Sequence, residues 1–183
     1  MKVLKLTTVL LLICAIVAGV LGTVNAITED TIAQRKEEKE KQAYASVLAA
    51  DTYTPVEFDR DAFPTVTDVV KADDAGYVVK STFSGAQGSI TMAVGVDADF
   101  RCTGISIIDH SETSGLGANA AAASEVGRDF RAQFVGQDDS IALSRAGGSI
   151  DALTGATITT DAIVKAVAVS VSVAKSVEGG IAA

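Results

Sequence analysis

Histidine and cysteine are nearly missing from this chain. Among 183 residues there are one histidine, His110, and two cysteines, and no Cys-x-x-Cys occurs. That excludes the usual zinc and iron–sulfur ligand sets, which draw on several thiolate or imidazole groups at once. Cys14 falls in an apolar N-terminal run and Cys102 in an expected strand, so the two are badly placed to form a disulfide. Redox chemistry on this chain would therefore need an organic cofactor. Cations are outnumbered: 15 Lys and Arg face 23 Asp and Glu, for a net charge of −8. Lys2 and Lys5 precede the apolar run, so the remainder is more acidic still. This balance argues against nucleic acid and anionic lipid surfaces as partners. The only prolines, Pro55 and Pro64, confine the expected irregular backbone to residues 51–66.

The first feature present in force is the uncharged stretch 6–27, long enough to cross a bilayer as a helix. The basic residues before it place the N-terminus in the cytoplasm. Val24-Asn25-Ala26 also resembles a small-residue cleavage site, so a cleaved signal peptide is the competing reading. Either one delivers the rest of the chain to the outer face. Residues 1–27 are thus read as N-terminus and transmembrane anchor, 28–50 as a charged helical stalk, and 51–183 as the folded domain. The stalk mixes both signs of charge (Glu37, Glu38, Lys39, Glu40, Lys41), and Tyr44, Val47 and Leu48 then return at helical spacing for its last turns to dock.

Within the domain, Tyr77, Val78 and Val79 mark a strand over 76–83, and the alternation of Ile90, Met92, Val94 and Val96 marks a second over 89–96. Asp97-Ala98-Asp99 turns the chain into a third strand over 101–109. An Ala-rich segment after Gly117 predicts a helix to about Phe134, with Gly136 as its C′ residue. Residues 140–144 read as a further strand. Gly115-Leu116-Gly117-Ala118-Asn119-Ala120 spells the Gly-x-Gly-x-x-Ala dinucleotide fingerprint. However, the glycines lie several residues past the strand end, and the preceding strands look like hairpins rather than a parallel crossover.

Four threonines crowd residues 151–161, on either side of Gly155-Ala156. Gly155 permits a close turn. Ile163, Val164, Val167, Val171 and Ala174 then recur at helical spacing, with the helix start expected at Thr159, Thr160 or Asp161. Thr157 would stand about one turn ahead of unpaired N–H groups and the positive end of a helix dipole, a setting suited to phosphate. The same residues also suit an ordinary threonine N-cap.

Asp151-Ala152-Leu153-Thr154-Gly155-Ala156-Thr157 resembles the Asp-x-x-(Ser/Thr)-Gly-Ala-Thr flavinylation motif of the FMN-binding domain shared by the RnfG and NqrC subunits of membrane ion-translocating oxidoreductases. His110-Ser111-Glu112-Thr113-Ser114-Gly115-Leu116-Gly117 resembles the second signature of that family, with Ser114 where the family has proline. Phe130-Arg131-Ala132-Gln133-Phe134-Val135-Gly136 is similar to a third family segment. Phe100 stands where a glycine commonly closes the preceding turn. The resemblance implies an α+β fold, an antiparallel sheet with packed helices behind one transmembrane helix. It also implies FMN joined covalently through its phosphate to Thr157 by a flavin transferase, with Thr154, Gly155, Ala156 and Asp151 completing the motif. Asp151 would either position the phosphate's metal ion on the transferase or cap the turn. Glu112 and Thr113 would hydrogen-bond the flavin's polar edge or ribityl chain, while Gly115, Leu116 and Gly117 let backbone approach it. The implied role is electron transfer within a complex that couples ferredoxin and NAD to ion movement, alongside its other subunits and without nucleic acid. Two alternatives stay open: an anchored extracytoplasmic binding module, and a reductase that holds FMN without a covalent bond.

Overall fold

A computed structural model describes residues 2–180. By compactness the chain divides into a unit ending at Glu40 and a second beginning at Lys41. The first is the helix α1 (Lys2–Val47) up to that boundary. From Val3 to Ile27 its large apolar side chains are exposed, and it is long and apolar enough to cross a membrane. Its threonines are satisfied internally: Thr7, Thr8 and Thr23 each donate to the carbonyl four residues back, at 3.0, 2.9 and 2.8 Å. This is how hydroxyls are accommodated where no water is at hand.

The second unit is built on a five-stranded antiparallel meander in chain order: β1 (Tyr53–Pro55), β2 (Val66–Ala72), β3 (Gly76–Ser84), β4 (Ser89–Asp97) and β5 (Cys102–His110). The three strands expected from alternation are β3, β4 and β5. No parallel crossover exists in this sheet, so the dinucleotide fingerprint lacks the βαβ setting it needs. Strands β1 and β2 fall partly in the stretch expected to be irregular. Pro55 sits at the end of the edge strand, where its missing N–H costs least.

Both faces of the sheet are covered. Val79 of β3 and Met92, Val94 and Val96 of β4 face α3 (Thr157–Glu178), whose Ile163, Val167, Val171 and Ala174 are at most 1% exposed. Burying each of these larger side chains stabilises the fold by roughly 1.5–3 kcal/mol. On the opposite face, Val70, Ala72, Val78 and Ala93 pack under Ala43, Tyr44 and Val47 of the last turns of α1. Gly95 makes that docking possible, because a Cβ there would collide with Thr103 Oγ1 and the Val47 carbonyl. Thr103 Oγ1 donates to that carbonyl at 2.5 Å.

Three local expectations are corrected. The helix expected from Gly117 to Phe134 is broken into a 3-10 turn (Gly117–Ala120) and α2 (Glu125–Ala132). Ser124 restarts the helix as its N-cap, accepting from the Gly127 N–H at 3.3 Å. Gly136 does adopt a left-handed backbone, φ +80°, but three residues beyond the C-cap Gln133. Residues 140–144 form no strand; only Leu143 bridges Ile150, and a 3-10 turn (Ser144–Ala146) follows. At the β4–β5 turn, Phe100 takes φ +57°, the conformation that a glycine would supply without strain.

Candidate functional site

The site region lies where α3 begins. That helix starts at Thr157, two residues earlier than the earliest expected cap, and its N-cap is Ala156, which has no side chain able to accept a hydrogen bond. No acidic residue occupies the first turn either. The threonines therefore do not cap this helix, and the plain N-cap reading loses its basis. The first-turn N–H groups and the positive end of the helix dipole are left for an anion, with the Thr157 hydroxyl, half-buried, beside them.

The other two threonines of the helix start have internal tasks. Thr160, fully buried, accepts from the Leu153 N–H at 3.2 Å and donates to the Ala156 carbonyl at 3.0 Å. The Ala156 N–H closes the turn on the Leu153 carbonyl at 2.9 Å. Gly155 supplies the left-handed residue, φ +71°. Thr154 is exposed, as are Asp151 and Ala152. The Asp151 backbone is gripped by one side chain: Gln133 Oε1 accepts from its N–H at 2.7 Å, and Gln133 Nε2 reaches its carbonyl at 3.5 Å.

The second motif meets this turn directly. Leu116, 43% exposed, lies where a Cβ on Gly155 would touch it at 3.0 Å. Glu112 Oε2 accepts from Thr159 Oγ1 at 2.5 Å, and Glu112 Oε1 accepts from the Gln87 N–H at 3.1 Å. Burial pushes the Glu112 carboxyl up, but the bonds from Thr159, Gln87 and Ala86, with His110 close by, outweigh it and hold the group below its usual range. His110 Nδ1 accepts from the Glu112 N–H at 3.3 Å, a local turn contact. Gly117 is buried, and a Cβ on it would strike both Glu112 and Thr159. Thr113 and Gly115 are both exposed at the rim.

Of the residues singled out from sequence, Gly155 and Leu116 come into contact, Glu112 reaches the turn through Thr159, and Thr154 and Asp151 face solvent. Thr159, Thr160, Gln133 and the β3–β4 loop were missed as parts of the site. Gln133 was on view in the Phe-x-x-Gln-Phe-x-Gly segment, but nothing in sequence joins it to Asp151, 18 residues away. An open groove of about 420 Å³ runs beside the turn, lined by Val126, Phe130, Gln133, Asp151, Leu153 and Thr154. Ile158, at the head of α3, is 65% exposed.

An uncapped helix start with a hydroxyl in its first turn stands next to a glycine-lined loop and exposed apolar side chains on an antiparallel α+β scaffold, an arrangement of the class suited to a phosphate-bearing cofactor. Residues 85–172 match the FMN-binding domain. The chain belongs to the family of RnfG-type subunits of the ion-translocating oxidoreductase complexes. It is 34% identical to such a subunit of the ion-translocating oxidoreductase complex of Methanosarcina acetivorans, over 97% of each chain. Identity is 30% to the corresponding subunit of the Na(+)-translocating ferredoxin:NAD(+) oxidoreductase complex of Acetobacterium woodii, over 93% of this chain and 91% of that one. It is 29% to that of the proton-translocating ferredoxin:NAD(+) oxidoreductase complex of Clostridium ljungdahlii, over 98% and 95%. The expected family and fold class are both borne out.

Proposed function

We propose that this chain is the electron-carrying subunit of a membrane ion-translocating ferredoxin:NAD oxidoreductase, with FMN held through a phosphoester to Thr157 Oγ1. The observation that carries the reading is the start of α3 at Thr157 without a side-chain cap, at the point where the two family motifs meet. The residues present fit FMN: the free N–H groups and hydroxyl suit its phosphate, and exposed Leu116 and Ile158 offer apolar surface for a ring system. FMN, when bound, supplies reversible one- and two-electron transfer.

The chain's own residues supply position. Thr157 presents the hydroxyl, Gly155 and Thr160 shape the turn before it, and Gln133 fixes Asp151 at the turn's entry. The exposed apolar length of α1 supports a single anchor, and Lys2 and Lys5 ahead of it favour an N-terminus in the cytoplasm with the folded domain, residues 51–183, on the outer face. Partners on this reading are the other subunits of the complex and a flavin transferase.

Denaturing electrophoresis under ultraviolet light, after co-expression with a flavin transferase, tests the attachment. The wild-type band is expected to fluoresce, Thr157→Ala to be dark, and Thr154→Ala to remain fluorescent. A dark wild-type band with active transferase present would overturn the covalent assignment and favour the binding-module alternative. Flavin that copurifies but is lost on denaturation would favour non-covalent binding.

A further inference from the structure

The Glu112 carboxylate is consumed by the protein itself. One oxygen takes the Thr159 hydroxyl at 2.5 Å, from the first turn of α3. The other takes the Gln87 N–H at 3.1 Å, from the loop between β3 and β4. Glycine spaces both sides of the contact: a Cβ on Gly85 would strike Oε1, and one on Gly117 would strike Oε2 and Thr159 Oγ1. Thr159 is 1% exposed, so a hydroxyl there without this acceptor would be buried and unsatisfied. Three separate segments thus converge on one side chain: the β3–β4 loop, the Glu112–Gly117 loop and the N-terminal turn of α3.

From this convergence we propose that Glu112 is a positioning residue for the attachment threonine, acting through Thr159, and not a flavin contact. Thr159 lies two residues after Thr157 on the same helical turn, so tying its hydroxyl to a carboxylate anchored on the β3–β4 loop fixes the azimuth and height of that turn and of the Thr157 backbone that presents the oxygen. The role is orientation of the acceptor for group transfer, where small displacements cost rate steeply. The proposal rests on the flavin-attachment reading, and the experiment keeps the two apart.

Four variants are compared with wild type: Thr159→Val, Thr159→Ser, Glu112→Gln and the double Glu112→Gln/Thr159→Val. Two measurements are made on the full chain. The first is amide hydrogen exchange at Ala86, Gln87 and the first turn of α3 without flavin; the second is the initial rate of flavin transfer followed by in-gel fluorescence. Thr159→Val is expected to speed exchange in both segments and to slow transfer at least about tenfold. Thr159→Ser, which restores the hydroxyl, is expected to stay within about twofold of wild type. The double variant is expected to be no slower than the slower single one, as for residues that share one contact. Wild-type exchange and transfer in Thr159→Val would overturn the proposal, as would a Thr159→Ser variant as impaired as Thr159→Val, because the impairment would then not follow the hydroxyl. If wild type itself takes no flavin, the attachment reading fails, and exchange in Thr159→Val then decides the tie alone: faster exchange sustains it, unchanged exchange removes it.

Discussion

Glu112, Asp73 and Asp138 share one electrostatic habit: each carboxylate accepts short-range hydrogen bonds that exist only in the fold. Asp73 is held below its usual range by the Thr52 hydroxyl first, then by the Thr52 and Asp51 N–H groups, and this ties the start of β1 to the β2–β3 turn. For Asp138 the partner is Ser140, through hydroxyl and N–H. A carboxyl whose folded pKa is lowered stabilises fully above its unfolded value, near 4.3 for Glu and 3.9 for Asp, and loses that contribution as pH falls through the folded value. Urea midpoints are therefore expected to drop below about pH 4.5, and Glu112→Gln is expected to shallow that slope while lowering the midpoint at pH 7. Ser81 illustrates the opposite case. Its hydroxyl is buried in β3 without a hydrogen-bond partner among the described residues, so Ser81→Ala is expected to raise stability by about 1 kcal/mol, measured by the same denaturation.

Among the elements, hairpins were legible and breaks were not. Strands β3, β4 and β5 announce themselves by apolar alternation bounded by turn residues, and α3 by its valine and isoleucine spacing. Strand β2 hides because a register shift between Val66 and Asp68 interrupts its period, so it presents no clean alternation. The Ala-rich segment reads as one helix because alanine propensity runs straight through it. Ser124 and the close approach of Gly127 to the Asn119 and Ala122 carbonyls decide otherwise. The candidate site turn was legible only in part: its motif shows the threonine and the glycine. The grips by Gln133, Thr160 and Glu112 depend on segments far apart in sequence. At the docked end of α1, Gly95→Val is expected to cost about 1–3 kcal/mol by crowding the Val47 carbonyl and Thr103, read as a lowered urea midpoint.

For the whole molecule, the compact unit begins at Lys41, ahead of the expected boundary at Asp51. The reason is physical: Ala43, Tyr44 and Val47 cover a sheet face that would otherwise expose Val70, Ala72, Val78 and Ala93. We expect a chain starting at Lys41 to be soluble and cooperative in thermal unfolding. One starting at Asp51 is expected to melt at least about 2–4 °C lower, or to aggregate, because more than about 1 kcal/mol of apolar burial is lost.

The helix that begins at Thr157 follows all five strands of the sheet along the chain. Strands β3 and β4 leave the ribosome long before α3 arrives to cover them, and a nascent domain stopped short of Glu178 keeps one side of its sheet bare. On the proposed reading, flavin addition to Thr157 would then have to wait until α3 has closed over the sheet, so colour on this protein would double as a certificate of that closure.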